Sequence, residues 1–412
     1  MKVNNIINFD DIMLLTPIDD IQCYFDKGYE RKIFSELAVR FICTFSKSIL
    51  EISNVKRYPD LVALAFWMRK SNISRLEKDF NEKNKGTIRV PVGKVIHFAP
   101  SNVDTIFIYS LFISLLVGNT NIVRVSTKSS FQKDTLVELL KKLLQEPQFV
   151  ALQTSLSIIT YPHSDKITSN LCSKVDMRVI WGGDETVKQL SSFPLSPTAT
   201  EIKFANKYSF SILNAEYISK LSNDKFEKLI NDFVNDSYWF GQQGCSSPRT
   251  VIWLNKDDHD DTIHAFWEAV ALKASNMFFD EVIDADLMNK IVASNLYAVN
   301  LESCKVIKTG KMLTRICINN LFTHNQFRDL HCGSGLFLEC HVDSLESLKD
   351  IVDRKSQTIS YFGFDIGLLK AEFVKYEIYP DRVVPVGEAL SFSITWDGYD
   401  LFKSMTRTVD FI

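Results

Sequence analysis

Between Arg31 and Leu50 apolar side chains return at every fourth position, at Ile33, Leu37, Phe41, Phe45 and Ile49, which is the repeat of one helical face. A second apolar-rich stretch, Leu61 to Phe80, follows Pro59 and predicts another helix. The first eighty or so residues therefore read as helices whose apolar faces must cover something else. From Thr87 the rhythm changes. Val90–Phe98 predicts a strand, Asp104–Val117 a helix, Ile122–Val125 a strand and Phe131–Leu144 a helix, and Ile158–Tyr161, Val179–Trp181 and Tyr208–Leu213 supply three more short strands. Strands alternating with helices indicate an α/β fold with a parallel sheet and crossover helices. A second alternating region begins near Ser211 and runs through Thr250–Leu254, Asp258–Met277, Leu336–Val342 and Leu345–Arg354. The closing stretch from Arg382 to Ile412 is expected to return and cover an edge or pair with another subunit.

At 412 residues the chain is long enough for two or three folding units rather than one core. Its 46% apolar and 24% charged residues belong to a globular protein rather than a disordered one. The 47 basic and 50 acidic side chains nearly cancel, so no electrostatic footprint for nucleic acid exists and none is expected as a partner. Eight cysteines are scattered without a CxxC pair, which suits reduced thiols in the cytoplasm. The first residues lack the pattern of a signal peptide. Thr105–Val123 carries no charged side chain, but its apolar run ends at Val117 and Gly118-Asn119-Thr120-Asn121 follows. That predicts a buried core helix and no membrane span.

The segment with most chemistry in it is Trp239-Phe240-Gly241-Gln242-Gln243-Gly244-Cys245-Ser246-Ser247-Pro248-Arg249. A cysteine among glycines, small hydroxyl residues and a proline occupies a tight turn, where substrate can approach sulfur and backbone N–H groups can support a thiolate or an oxyanion. The other reading is a structural cysteine behaving as a small apolar residue. His331, Cys332, Cys340 and His341 invite a zinc reading, but the apolar Leu336-Phe337-Leu338 between them predicts a strand whose alternating faces separate neighbouring ligands. Neither a GxGxxG fingerprint nor a P-loop occurs.

The nucleophile loop Gly241–Pro248 resembles that of the aldehyde dehydrogenase superfamily, and specifically the LuxC-like acyl-CoA reductases. His97-Phe98-Ala99-Pro100-Ser101-Asn102-Val103 and Leu116-Val117-Gly118-Asn119-Thr120-Asn121-Ile122-Val123-Arg124 resemble, in the same order, that superfamily's Asn loop and its Gly-Asn strand ending in a cation. Trp181-Gly182-Gly183-Asp184 is similar to its glycine turn near the nicotinamide, and Arg382–Gly387 through Trp396-Asp397-Gly398 looks LuxC-like. The resemblance covers roughly residues 85 to 412, and its strength is the colinearity of motifs that are weak singly.

This resemblance implies an aldehyde-dehydrogenase-like α/β fold and the reduction of an acyl-CoA, or another acyl thioester, to an aldehyde through an acyl-cysteine on Cys245. It implies oxyanion donors in the Asn102 amide and the Cys245 backbone N–H, and a general base in Glu201. Arg124 and Thr127 would contact the adenosine ribose. An acid is absent at 127, which favours NADPH while leaving NADH open. Gly182 and Gly183 would let the backbone approach the cofactor, and His331 stands where relatives place a glutamate on the nicotinamide ribose. The expected division is a helical N-terminal region, 1–86, packing on the cofactor domain; a nucleotide-binding domain, 87–210; a catalytic domain, 211–381; and a C-terminal return or oligomerisation segment, 382–412. A homo-oligomer and an acyl-donating partner enzyme are the implied partners. Two other readings stay open on sequence: a cysteine acyltransferase or thioesterase without hydride transfer, and a non-catalytic oligomer-forming subunit.

Overall fold

A computed structural model gives the fold and describes residues 11–18, 20–26, 32–100, 103–255, 259–278, 283–301, 303–319 and 328–411. The chain divides into two compact units, Met1–Ala205 with Phe392–Ile412, and Asn206–Ser391.

The first unit opens with β1 (Met13–Leu14), α1 (Gln22–Asp26), α2 (Glu36–Leu50), α3 (Pro59–Trp67) and α4 (Lys70–Lys83). The alternating part is β2 (Ile88–Pro91), β3 (Lys94–Phe98), α5 (Ile106–Leu116), β4 (Thr120–Arg124), α6 (Phe131–Leu144), β5 (Leu156–Thr160), α7 (Asp165–Ser173), β6 (Met177–Trp181), α8 (Asp184–Ser192) and β7 (Thr200–Phe204). Its sheet has the order β1-β5-β4-β3-β6-β7, parallel throughout except for β1 at the edge. Starting from β3, strands are added first on one side and then on the other, which is the strand order of a dinucleotide-binding sheet with its reversal at β3. The fingerprint GxGxxG is absent, yet the order is present, so topology here was not readable from the motif.

The predicted apolar α2 stripe buries Phe41, Phe45 and Ile49 completely. Phe45 meets Phe112 of α5 edge-on at 5.2 Å, and Phe41 meets Phe149 at 5.1 Å. The N-terminal helices thus cover one face of the sheet's own helices, and all 11 residues of α5 are buried. Among the described residues no helix is long and apolar enough to cross a membrane. Two predicted elements are broken in the structure. The strand Val90–Phe98 is interrupted at Gly93, whose φ of +128° and 2.2 Å clearance to Asp176 for an added Cβ admit only glycine. The stretch Leu61–Phe80 becomes α3 and α4, separated at Met68–Arg69.

The buried His97 joins β3 to β4 and α5. Asn121 donates its Nδ2 to the Asn119 carbonyl (2.9 Å), so its Oδ1 accepts from His97 Nε2 (3.1 Å). His97 Nδ1 then accepts from the Ser110 hydroxyl (2.8 Å), whose oxygen accepts the indole N–H of Trp181 (3.1 Å). Asn119 accepts from the Gly93 N–H and donates to the Met405 carbonyl. The asparagines of the Gly118–Asn121 motif therefore tie strand, helix and C-terminal tail together, satisfying buried polar groups.

The second unit contains β8 (Tyr208–Asn214), α9 (Ala215–Ser219), α10 (Asn223–Tyr238), β9 (Pro248–Leu254), α11 (Asp260–Phe278), α12 (Asp284–Asn300), β10 (Cys304–Thr309), β11 (Leu313–Ile318), β12 (Leu336–Val342), β13 (Ser356–Phe362), the helix Ile366–Lys375 and β14 (Arg382–Pro385). The sheet order is β10-β11-β12-β9-β8-β13-β14, parallel except for β10. Strand β8 runs across position 210, the boundary expected from sequence, and the division falls at Ala205–Asn206. One core packs Phe233, Trp253, Phe266, Trp267 and Phe337 on one face, and a second packs Phe210, Ile212, Ile252, Ile316 and Leu338 on the other. After Ser391 the chain returns to the first unit, where β15 (Thr395–Trp396) and β16 (Tyr399–Asp400) form a hairpin and β17 (Thr406–Val409) pairs antiparallel with β2.

Burial pulls His97 down from 6.5 to about 4, with the Asn121 hydrogen bond opposing. The unfolded state therefore binds more protons between these values, and stability should fall as pH drops from 6.5 to 4, by about 3 kcal/mol from this group. Asp60, pushed up to about 6 by burial in the same unit, acts oppositely over much of that window. Urea denaturation across the window should therefore compare the parent with His97→Gln, and the difference between the two curves should carry the His97 slope.

Candidate active site

In the second unit, α10 ends at Tyr238 and the chain turns sharply through Phe240, Gly241 and Gln242, all with positive φ (57°, 58° and 62°). Only the glycine adopts this conformation without steric cost. The turn persists because its groups are held from below. The Gln242 side chain, fully buried, donates to the Pro248 carbonyl (2.9 Å) and accepts from the Gly335 N–H (3.0 Å). Gln243 donates to the Cys332 carbonyl (2.8 Å), and the Ser334 N–H donates to the Gly241 carbonyl (2.8 Å). The Gly241–Pro248 loop and the turn His331–Gly335 are thus one hydrogen-bonded body. Gly333 and Gly335 are obligatory in it: an added Cβ would lie 2.5 Å from the Gly241 carbonyl and 1.9 Å from the Met312 carbonyl, respectively.

Cys245 sits half-buried at the end of this loop. Its carbonyl accepts from the Ser209 hydroxyl (2.7 Å), and its sulfur accepts the Gln357 side-chain N–H (3.0 Å). The Cys43, Cys172, Cys304, Cys317, Cys332 and Cys340 thiols are all pushed up by burial, Cys317 to about 12 with the Glu339 carboxylate adding to the effect. Such thiols are poor nucleophiles. Sequence inspection missed Gln357, Ser209 and Gln242; the available signal was the run Ser356-Gln357-Thr358 opening an otherwise apolar strand.

His331 does not stand ready for a ribose. Its Nδ1 accepts from the Gly333 N–H (3.0 Å) and its Nε2 donates to the Leu336 carbonyl (2.6 Å), so the ring shapes its own turn. Cys340 lies in the apolar core. The described residues contain no group of three or more His, Cys, Asp or Glu placed to hold a metal ion.

In the first unit, an open pocket of about 530 Å³, counting its mouth, lies just beyond the carboxyl ends of β3 and β4. Ala99, Pro100, Ser126, Lys128, Ser130 and Lys133 are among its walls, together with the carboxylate of Asp104. Lys133 is nearly buried and donates to the Ser126 and Lys128 carbonyls, holding the β4–α6 loop in shape. Arg124 turns elsewhere: its guanidinium donates to the Tyr161 carbonyl (3.4 Å) and lies 5.4 Å from that ring's centre. The cation lining the pocket on the exposed loop is Lys128, beside the exposed Thr127.

Gly182 and Gly183 follow β6 on the same sheet, Gly182 donating to the Phe204 carbonyl (3.0 Å) and Gly183 capping α8. A Cβ at Gly182 would press on Thr186 at 3.1 Å. Glu201 is a correction. It lies on β7, paired with the buried Arg178, with Lys203 at 3.2 Å and the Ser191 hydroxyl at 3.1 Å. Burial opposes its charge, but the hydrogen bond and charge of Arg178, with Lys203 and Ser191, outweigh that and hold the carboxyl below its usual range. A carboxylate so occupied braces the strand; it is not equipped as a general base. Asn102 lies outside the described residues.

A family model described as acyl-CoA reductase (LuxC) matches residues 68–281. The long-chain acyl-protein thioester reductase of Aliivibrio fischeri is 25% identical over 291 residues, 68% of this chain and 55% of that protein. The reductase of the same name from Photorhabdus laumondii is 24% identical over 283 residues, 67% of this chain and 54% of that protein. The chain thus spans about half the length of these relatives. Among solved structures, an NAD-dependent aldehyde dehydrogenase from Sinorhizobium meliloti superposes with a TM-score of 0.65 at 12% identity, covering 93% of this chain and 83% of that one. Betaine aldehyde dehydrogenase from Staphylococcus aureus, in complex with NAD+, gives 0.64 at 14% identity, covering 93% and 86%. The fold is aldehyde-dehydrogenase-like, as the motifs implied.

The bracing turn gives a direct test. Gly333→Ala would drive a Cβ to 2.4 Å from the Gln243 amide and 2.5 Å from the Gly241 carbonyl. It should slow alkylation of Cys245 by about tenfold or more while far-ultraviolet circular dichroism stays near that of the parent, since one displaced loop contact is worth about 1–3 kcal/mol. Unchanged Cys245 reactivity would show that the turn does not shape the nucleophile loop.

Proposed function

The chain belongs to the LuxC acyl-CoA reductase family, and from that premise we propose that it reduces an acyl thioester to the aldehyde, with Cys245 carrying the acyl group. The observation that supports this most is the construction around that one sulfur: a strained turn, held by a buried glutamine and by two invading glycine positions, presents Cys245 half-exposed with an N–H donor on its sulfur.

The sulfur attacks the carbonyl carbon of the substrate thioester, the carbonyl oxygen takes the negative charge, and collapse expels the carrier thiolate. Substrates of this class are acyl-CoA and acyl groups carried as thioesters on a carrier protein or on an acyl-donating enzyme. The Cys245 backbone N–H and the Asn102 amide are the proposed oxyanion donors. Ser209, by holding the Cys245 carbonyl, fixes the peptide plane from which the sulfur projects.

A reduced nicotinamide, when bound, supplies the hydride that takes the acyl group to the aldehyde level. The pocket beyond β3 and β4 fits the adenosine end of such a cofactor, because it lies where dinucleotide sheets bind ligands and offers a lysine and several hydroxyls. Lys128 and Ser126 would hold the ribose and its phosphate, with Gly182 and Gly183 admitting the chain of the cofactor along the neighbouring strand end. With a lysine at 128 and no acid at 127, a 2′-phosphate is attracted rather than repelled, so NADPH is the preferred reductant.

Intact mass spectrometry after exposure to a panel of acyl-CoAs should show one acyl addition, mapped to Cys245 and lost when NADPH is added, with aldehyde released. Cys245→Ala should show none. An adduct that NADPH leaves untouched, and that only a second thiol or water removes, would mark an acyltransferase or thioesterase instead. Lys128→Ala should raise the KM for NADPH by about tenfold, the worth of one charge-assisted hydrogen bond, and change that for NADH little. Equal effects on both reductants would remove Lys128 from the phosphate site.

A further inference from the structure

Strand β8 meets an extra residue on both neighbours at the same place. Opposite Ser209, β13 inserts one residue between the pairs Ser356–Tyr208 and Ile359–Phe210, and β9 inserts Arg249 between the pairs Pro248–Ser209 and Thr250–Phe210. A bulge of this kind removes backbone groups from the ladder and re-aims side chains. Here the Thr358 N–H, taken out of the ladder, donates to the Ser209 hydroxyl oxygen (3.1 Å), while that same hydroxyl donates to the Cys245 carbonyl (2.7 Å). Gln357, in the bulge and only 1% exposed, is turned so that its side-chain N–H reaches the Cys245 sulfur at 3.0 Å. The Thr358 hydroxyl donates to its Oε1 (3.4 Å), which fixes which end of the amide faces the sulfur. A long polar side chain buried in a sheet is costly unless satisfied, and this one spends a donor on a sulfur.

We propose that Gln357 is a catalytic residue of this site, a fixed N–H donor that receives charge on the Cys245 sulfur at the start and end of each turnover. The assignment rests on the acyl-cysteine reading above and deepens it. When the sulfur's electron pair forms the bond to the acyl carbon, the carrier's C–S bond breaks and that pair leaves with the carrier thiolate. After hydride addition from the reduced nicotinamide, the Cys245 C–S bond breaks in turn and its electron pair returns to the sulfur. The donor therefore faces an anion twice, once as attacking group and once as leaving group, and a group placed on rigid strands provides it without reorganisation.

The test is the pH profile of Cys245 alkylation by iodoacetamide in the full chain, followed residue by residue by peptide mass spectrometry. Gln357→Met keeps length and volume and removes the donor. It should alkylate about tenfold more slowly near neutral pH, with the profile displaced to higher pH and the rates converging in alkali, because a hydrogen bond to a charged group is worth about 1.4 kcal/mol or more. Gln357→Glu sets a carboxylate against the sulfur and should displace the profile further in the same direction. Should the methionine variant fail to fold, the glutamate variant and Thr358→Val, which frees the amide's orientation, carry the test; each should displace the profile to higher pH, the glutamate variant the further. A folded variant with the parent's profile overturns the assignment. Alkylation needs no substrate, so a chain that takes up no acyl group refutes the proposed reaction, while the profile alone decides Gln357.

Discussion

The hydrogen bonds of one buried carboxamide hold the loop that carries Cys245 in a shape its backbone would not choose. Phe240 and Gln242 both sit in the left-handed region, at a cost of about 1–2 kcal/mol each. The Gln242 side chain offsets this by bridging the Pro248 carbonyl and the Gly335 N–H. Losing it would take a partner from two buried backbone groups as well as releasing the strain, and a buried group left without a partner costs about 1–3 kcal/mol. Everything said of Cys245 depends on that bridge, because the sulfur's position relative to Gln357 is set by where the loop ends and β9 begins.

The two units use the same device for different ends. In the first, Trp181, Ser110, His97, Asn121 and Asn119 form an ordered relay of donors and acceptors. In the second, Gln242, Gln357, Ser209 and Thr358 do so around the cysteine. Fully satisfied buried networks of this kind are rigid and specify one arrangement. The first fixes the strand ends that shape the pocket. The second leaves one member, the cysteine, with a soft polarizable atom at its end rather than an oxygen or nitrogen.

How far the chain was legible follows from which forces act locally. The helices α2 and α6 were visible because an apolar face of period near 3.6 is written in the sequence itself, and α6 begins and ends at the predicted Phe131 and Leu144. The hairpin β10–β11 and the strand β7 were not, since their side chains alternate only partly and their register is set by neighbours far along the chain. The tight turn that carries Cys245 was legible because its glycines, small residues and proline are local to it. Gln357 is 112 positions away, and only the double bulge at Ser209 brings it to the sulfur. Glu201 misled for the converse reason: the family resemblance suggested a base, while Arg178, on the adjacent strand, had already claimed its charge.

The same logic explains how a dinucleotide-type sheet can do without its glycine fingerprint. That fingerprint lets a pyrophosphate approach the first helix N-terminus closely. Here the helix leaving β3 is α5, an apolar cylinder buried on every side with no acid or base in its first turn. Its burial under α2 is needed to complete the unit's core, which leaves it little freedom to become a polar phosphate seat. The polar groups have moved to the next loop, where Ser126, Lys128, Ser129 and Ser130 line the pocket and the buried Lys133 holds their backbone from behind. In the proposed cofactor site, a side-chain cation on a braced loop takes the place of backbone N–H groups on a glycine turn, so that discrimination between phosphorylated and unphosphorylated ribose would depend on Lys128 rather than on the shape of the fold.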